Sequence, residues 1–433
     1  MPVHPIYFSI DLGETFTDLV LLDGSGRVYI KKIPTTFHDP TASIIASIVR
    51  FVARREFTFD DIAGLVIGMS VDATPDRAVT CVVELDEQLR KVGFRAPLYL
   101  ITRQGELLSL EEARQNPDVI MHPARMGGMV AGRFFGKQTG SEKLILFRMG
   151  GASANISLLT ELSAETSVLA EQGQELPFGG DSYVRLNAAG MPEILSEHAR
   201  HETGPASFGR SAPGESQLPT LTDVYLALGY LNQDYFLRGE IPLHPEAASA
   251  VIDEHLARPL GVSVEEASFR VVHAVEQLVA GIIRDMTGEA LDAESAYSML
   301  VFGGAGPLHA CGIARLLGVR EVIVPVGVGV VAALGYALRL AEIQGKLPQE
   351  VHRSTPPGRV SEQDFAALKG YRTVFLDEDL VPSSSPIYDR SKIWARDCLS
   401  GPAIIEEHET TTVVPEQSYV RIDQNRNLLI SMR

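Results

Sequence analysis

Three short segments carry residue types at spacings that can hold a phosphate-bearing ligand. The first is Asp11-Leu12-Gly13-Glu14-Thr15-Phe16-Thr17-Asp18, directly after the apolar run Ile6 to Ile10. A strand that delivers a carboxylate into a tight Gly/Thr turn can hold a magnesium ion, directly or through water, while turn amides and hydroxyls donate to phosphate oxygens. In that arrangement Asp11 is the catalytic, metal-side carboxylate, Gly13 makes the turn, and Thr15 and Thr17 are phosphate-side hydroxyls. The same residues also suit a plain hairpin, in which Asp and Gly serve the turn and Thr favours the strand. The second segment is Met149-Gly150-Gly151-Ala152-Ser153, where the amides of Gly150 and Gly151 and the Ser153 hydroxyl can meet a phosphate. No carboxylate precedes these glycines, since Arg148 holds that position, and a simple hairpin turn fits as well. The third is Phe302-Gly303-Gly304-Ala305-Gly306-Pro307-Leu308-His309. Gly303, Gly304 and Gly306 permit close backbone approach to a flat ligand, and a helix opening at Pro307 favours negative charge at its start. A tight strand-to-helix connection needs the same glycines, and His309 reads as a packed helix residue.

Other segments carry less. Gly327, Gly329 and Ala332 follow a strand in the manner of a dinucleotide fingerprint, but no acidic residue lies about 20 positions on, so they read as a packing turn. His198, His201 and Glu202 have metal-ligand chemistry, yet histidines in a polar loop are usually solvated. The chain has no GxxxxGKS or GxxxxGKT loop, HExxH, EF-hand loop or GxSxG elbow.

The elements that must position these segments are legible from pattern. Residues 6–10, 19–22 and 27–33 read as strands separated by Gly/Asp turns. Thr41 suits the cap of a helix whose apolar positions are Ile44, Ile45, Ile48, Val49 and Val52. Further strands fall at 65–67, 97–102, 144–147, 155–159, 299–302 and 322–326, with helices at 79–92, 110–114, 308–317 and 330–343. The strand–glycine turn–strand design occurs at Asp11 and again at Met149, which suggests a duplicated α/β domain. Residues 186–220 lack periodicity and read as a long loop. Residues 222–290 read as helical, with Val271, Val275, Leu278, Val279, Ile282 and Ile283 as an apolar stripe. The tail from Pro386 holds short β runs at 402–405, 411–414 and 428–430.

Composition narrows the class. A chain of 433 residues exceeds one compact core, and 45% hydrophobic with 21% charged residues describes a globular protein. A net charge of -17 argues against a nucleic-acid or anionic-membrane partner. Cys81, Cys311 and Cys398 form no CxxC pair, which fits a reducing compartment. The N-terminal residues lack the pattern of a secretory signal, and no run reaches about 18 apolar residues, so a cytoplasmic location is expected.

Taken together, the segments resemble the ATP-binding, hydantoinase A-like subunit of the hydantoinase/oxoprolinase family. The resemblance lies in IDLGETFTDLVLLDGSGRVYIKKIPTT, in LVFGGAGPLHACGIARLLGVREVIVPVGVGVVAALG and in GPAIIEEHETTTVVPEQSYVRIDQNRNLLI. Weaker matches are GELLSLEEARQNP and GPASFGRSAPGESQLPTLTDVYLALGYL. The resemblance implies duplicated ribonuclease-H-like halves, as in actin, sugar kinases and heat-shock ATPases, flanking a nucleotide cleft, with a small β-rich C-terminal appendage. It divides the chain into a truncated first half (1–95), a second half with a helical insert at 222–290 and the adenosine-side motif (96–345), and a linker with a β-rich C-terminal domain (346–433). It implies ATP and magnesium as cofactors, a hydantoinase B-like partner subunit, and a small carbonyl or lactam substrate whose oxygen is phosphorylated before hydrolysis or carboxylation.

The sequence also departs from the family pattern. Where the family reads Asp-Met-Gly-Gly-Thr-Ser-Thr-Asp, this chain has Arg148-Met149-Gly150-Gly151-Ala152-Ser153-Ala154-Asn155. Glu14 replaces a glycine, the family's glycine-rich stretch before the GPA segment falls on 186–190, and material between about Ser70 and Thr80 is missing. Two readings follow: a trimmed catalytic subunit using Mg-ATP, or a non-catalytic scaffold of such a complex. A free-standing sugar or acetate kinase is disfavoured by the C-terminal segment.

Overall fold

The computed structural model describes residues 5–13, 16–35, 40–53, 57–70, 73–162, 173–199, 203–210, 217–239, 241–288, 291, 296–353, 367–395, 397–408 and 410–432. The chain forms two compact units, and the first is built mainly from residues 1–141 and 330–356. Its strands β1 (Ile6–Gly13), β2 (Phe16–Asp23) and β3 (Arg27–Pro34) form an antiparallel meander. Asp23 makes the second turn, its Oδ1 accepting from the Ser25 and Arg27 amides at 2.9 and 3.0 Å. β4 (Ile62–Ser70) runs parallel to β1, β5 (Leu98–Ile101) runs parallel to β4, and β6 (Leu107–Ser109) closes that edge. The order is β3-β2-β1-β4-β5-β6, with the short strand His352–Arg353 beyond β3.

Alternation along β1 sorts its side chains onto two faces. Phe8, Ile10 and Leu12 join one core with Ile44 and Ile48 of helix Pro40–Ala53 and Val82, Leu85 and Leu89 of helix Pro75–Lys91. Each such fully buried side chain contributes about 1.5–3 kcal/mol. On the opposite face lies helix Val331–Ile343, where Ser9 Oγ donates to the Ala333 carbonyl at 2.6 Å. The chain therefore returns late to complete its first unit. This unit runs past the boundary expected at residue 95, because β5, β6 and helix Ala124–Thr139 belong to it. Across the place where material is expected to be missing, β4 ends at Ser70 and helix Pro75–Lys91 and then β5 follow. Thr41 is not the cap, since the helix already begins at Pro40, and Val49 is exposed.

The second unit contains most of residues 142–329 and 357–433. Its strands are β7 (Lys143–Met149), β8 (Ala154–Leu159), β9 (Gly173–Leu176), β10 (Ser182–Leu186), β11 (Pro192–His198), β12 (Tyr297–Phe302) and β13 (Glu321–Val324). The main sheet is ordered β9-β8-β7-β12-β13, with β12 parallel to both neighbours. The same third–second–first–fourth–fifth order thus occurs in both units. The fold is a duplicated ribonuclease-H-like α/β architecture.

Strands Leu428–Met432, Ser418–Ile422 and Cys398–Ser400 extend this sheet beyond β13. A separate four-stranded sheet, Leu368–Val374, Ser383–Asp389, Ala403–Glu406 and Thr411–Val414, makes up the rest of the β-rich C-terminal part. The insert between β11 and β12 is helical as expected, including Leu221–Ala227, Pro245–Ile252 and Val264–Thr287. In the last of these Val271, Val275, Val279 and Ile283 are buried, whereas Leu278 faces solvent. The stretch expected to be a loop from 186 contains β11, paired antiparallel with β10. Among the described residues no helix is long and apolar enough to cross a membrane.

Candidate functional site

In the first unit Asp11 lies two residues before the end of β1, opposite Asp18 on β2 and Gly68 on β4. Its relative exposure is only 5%, so the carboxylate needs partners. Ser70 Oγ donates to Asp11 Oδ1 at 2.8 Å, and the Tyr336 hydroxyl donates to the same oxygen at 3.3 Å. Asp18 accepts from Lys32 Nζ at 2.5 Å. Glu14 and Thr15 lie outside the described residues. Thr17, expected as a phosphate-side hydroxyl, is fully buried instead. Its hydroxyl lies 3.0 Å from that of Thr35, which in turn donates to the Gly13 carbonyl at 2.8 Å. This chain of hydroxyls braces the base of the turn, and Thr17 is structural.

In the second unit the parallel strands β7 and β12 end side by side, Arg148 pairing with Phe302. The two glycine segments expected after them meet there. The Ala305 amide donates to the Met149 carbonyl at 3.0 Å, and the Gly303 amide donates to the Val328 carbonyl at 2.8 Å. Gly303 has φ +88°, and a Cβ on it would overlap the Met149 carbonyl, so only glycine makes this junction without strain. Gly306 is buried at the start of helix Gly306–Leu317, while Gly304 is exposed. Ligands of open α/β sheets bind outside such carboxyl ends.

Gly150 differs from its expected role, because its amide donates within the turn to the Ser153 carbonyl at 2.9 Å. Gly151 is half-buried and Ser153 is exposed. Arg148 reaches back over the turn, its Nη1 3.5 Å from Ser153 Oγ. A guanidinium fits phosphate oxygens and cannot ligate magnesium, whereas the buried Asp11 carboxylate has the donor chemistry for the metal.

Reasoning from sequence missed the loop 178–182. The Gly180 and Asp181 amides donate to the carbonyls of Gly150 and Gly151 at 2.9 and 2.7 Å, so this loop backs the second turn. Thr222 Oγ1 then donates to the Gly180 carbonyl at 2.9 Å, tying the loop to the helical insert. The signal was the Gly179-Gly180-Asp181 step itself. The stretch 186–190 forms the tip of the β10–β11 hairpin, where the Gly190 amide donates to the Asn187 carbonyl. Thr410 Oγ1 also joins, donating to the Gly304 carbonyl at 2.8 Å.

The weaker candidates take structural places. His309 is fully buried, its Nε2 2.7 Å from the Tyr225 hydroxyl and its Nδ1 3.6 Å from Glu276. Burial, and then Glu276, push the Tyr225 phenol well above its ordinary range. Val328 serves as the carbonyl partner of Gly303 in the turn that follows β13. His198 is exposed at the end of β11, and His201 and Glu202 lie outside the described residues. Among the described residues no cluster of three or more metal-type ligands occurs.

Two ribonuclease-H-like units, the first with a buried carboxylate near a strand end and the second with a glycine junction at the carboxyl ends of parallel strands, define the class. The chain belongs to the hydantoinase/oxoprolinase family: its core model matches residues 74–344, its N-terminal region 7–120 and its C-terminal domain 328–432. Among curated relatives, the acetophenone carboxylase gamma subunit of Aromatoleum aromaticum is 27% identical over 335 residues, covering 68% of this chain and 43% of its own length. The caprolactamase subunit alpha of Pseudomonas jessenii is 27% identical over 266 residues, covering 59% of this chain and 38% of its own. The chain spans about two fifths of the length of these two relatives, and less of others such as the 5-oxoprolinase 1 of Arabidopsis thaliana, of which it covers 21%. Nucleotide-free acetone carboxylase, an ATP-dependent enzyme by its description, superimposes with TM-score 0.74 over 99% of this chain and 100% of that one, at 15% identity. At that identity the likeness establishes the fold.

Proposed function

We propose that this protein is the nucleotide-handling subunit of an ATP-dependent amidohydrolase or ketone carboxylase, acting on a small carbonyl or lactam substrate with a hydantoinase B-like partner. The observation that carries the reading is Asp11: a carboxylate buried near a strand end beside a glycine turn, in a chain whose relatives include carboxylase and caprolactamase subunits. Magnesium, when bound, neutralises phosphate charge for transfer to the substrate oxygen, which converts a poor leaving group into a phosphate ester. Asp11 is the residue to hold it. Gly13 and Thr15 are proposed for the phosphate side of the first turn, and Arg148, Gly151 and Ser153 for that of the second. Gly303, Gly304 and Gly306 are assigned to the adenosine end.

A second reading has its own support. Arg148 precedes Gly150 by two residues as Asp11 precedes Gly13, and the Gly150 amide is engaged within its own turn. Both favour a homologue that scaffolds the complex without transferring phosphoryl groups. Calorimetry separates the two, using the purified chain alone and with its partner subunit, titrated with Mg-ATP and Mg-ADP. Saturable binding weakened about tenfold or more by Asp11→Ala is expected for the nucleotide reading. Absence of binding to either nucleotide in both preparations leaves only the scaffold.

A further inference from the structure

Tyr336 is a polar residue in an otherwise apolar stretch of helix Val331–Ile343, and it is fully buried. Its ring occupies a slot made by two glycines. A Cβ on Gly68 would overlap the ring, and one on Gly127 would come within 2.5 Å of it. Phenylalanine would fill the same slot, so packing alone does not call for the hydroxyl. That hydroxyl points to Asp11 Oδ1 at 3.3 Å, and Ser70 Oγ reaches the same oxygen at 2.8 Å from the end of β4. The helix carrying Tyr336 is fixed nearby by the Ser9–Ala333 hydrogen bond. Three elements therefore converge on one carboxylate: β1 carries it, while β4 and the returning helix each supply a donor. Two donors on a single oxygen restrict rotation of the carboxylate about its own axis and define the direction of the other oxygen.

From this we infer that Tyr336 and Ser70 are positioning residues, which set the orientation of Asp11 toward a divalent cation. The inference rests on the nucleotide reading proposed above. It predicts more than stability: removing the hydroxyls should act on the magnesium-dependent part of nucleotide binding.

The test compares the full-length wild-type chain with Tyr336→Phe, Ser70→Ala and the double variant, together with Ser70→Thr as a conservative rescue. Each is titrated with ATP in magnesium and in EDTA, and crystal structures of the wild type and the double variant are compared at Asp11. Tyr336→Phe should weaken Mg-ATP binding about threefold to tenfold and the double variant more, with metal-free ATP binding unchanged and Ser70→Thr close to wild type. Wild-type Mg-ATP affinity in the double variant would overturn the inference, as would an equal loss with and without magnesium. If the wild-type chain binds no nucleotide, the proposed function fails separately. The crystal structures then decide the positioning claim: a rotated Asp11 carboxylate in the double variant supports it, and an unmoved one overturns it.

Discussion

At the residue scale, Thr35 carries much of the first hairpin on one hydroxyl. It donates to the half-buried Gly13 carbonyl and stands 3.0 Å from the buried Thr17 hydroxyl. Replacing it with valine keeps the shape but strands two polar groups, and such groups cost about 1–3 kcal/mol each when left without partners. Thr35→Val should therefore lower the unfolding free energy read from urea denaturation by about 1–3 kcal/mol per stranded group, with an unchanged m-value. An effect below about 0.5 kcal/mol would mean that the two groups find other partners. The same hydroxyl chain explains which site residues were legible. The place of Asp11 in the first strand was legible, because an apolar run leads into it and a glycine follows. Thr17 was not, because sequence gives its alternation along the strand but not which face is covered. Thr17 pairs with Leu12 and so lies on the face that carries Leu12, Leu19 and Leu21, packed by helices Pro40–Ala53 and Pro75–Lys91.

At the element scale, helix Leu221–Ala227 depends on a buried capping box. Asp223 accepts from the Thr220 amide and hydroxyl, both at 2.9 Å, and from the Ser207 amide at 2.7 Å. Burial nevertheless raises its carboxyl above the ordinary 3.8, with the hydrogen bonds from Thr220 and Ser207 opposing the rise. The folded chain thus holds this proton more tightly than the unfolded one. The resulting stabilisation is full below pH 3.8 and is lost as pH rises through the folded value. Asp223→Asn should remove that pH dependence from the unfolding free energy. Asp223→Ala should cost about 2–4 kcal/mol at neutral pH, because several buried donors lose their acceptor. Denaturation series across acidic pH check both, and parallel pH profiles for wild type and Asp223→Asn would refute the assignment. Elements with a strong period, such as β7, β12 and helix Val264–Thr287, were legible in sequence. The β10–β11 hairpin was not, since β11 is mostly polar and half-exposed and carries no apolar face to announce a strand.

At the scale of the whole molecule, the chain builds most of one unit, makes the second, and then returns. Its C-terminal part rejoins the second unit, extending the main sheet and forming the four-stranded sheet. This threading is invisible to a reading that divides the chain at 95 and 345, because sequence proximity is not spatial proximity for residues 330–353. It also makes a late residue essential to an early sheet. Gly335 lies against helix Ala124–Thr139 so closely that a Cβ would overlap the Gly127 carbonyl. Neither backbone can yield without separating the two helices, so Gly335→Val should cost about 3 kcal/mol or more. The loss should fall on the first unit: hydrogen exchange should accelerate in β1 and β4, whose face the displaced helix covers, while β7 and β12 keep their protection. Uniform acceleration across all four strands would mean that the two units open together. Protection lost selectively from β1 and β4 would make the returning helix the element on which the Asp11 layer depends.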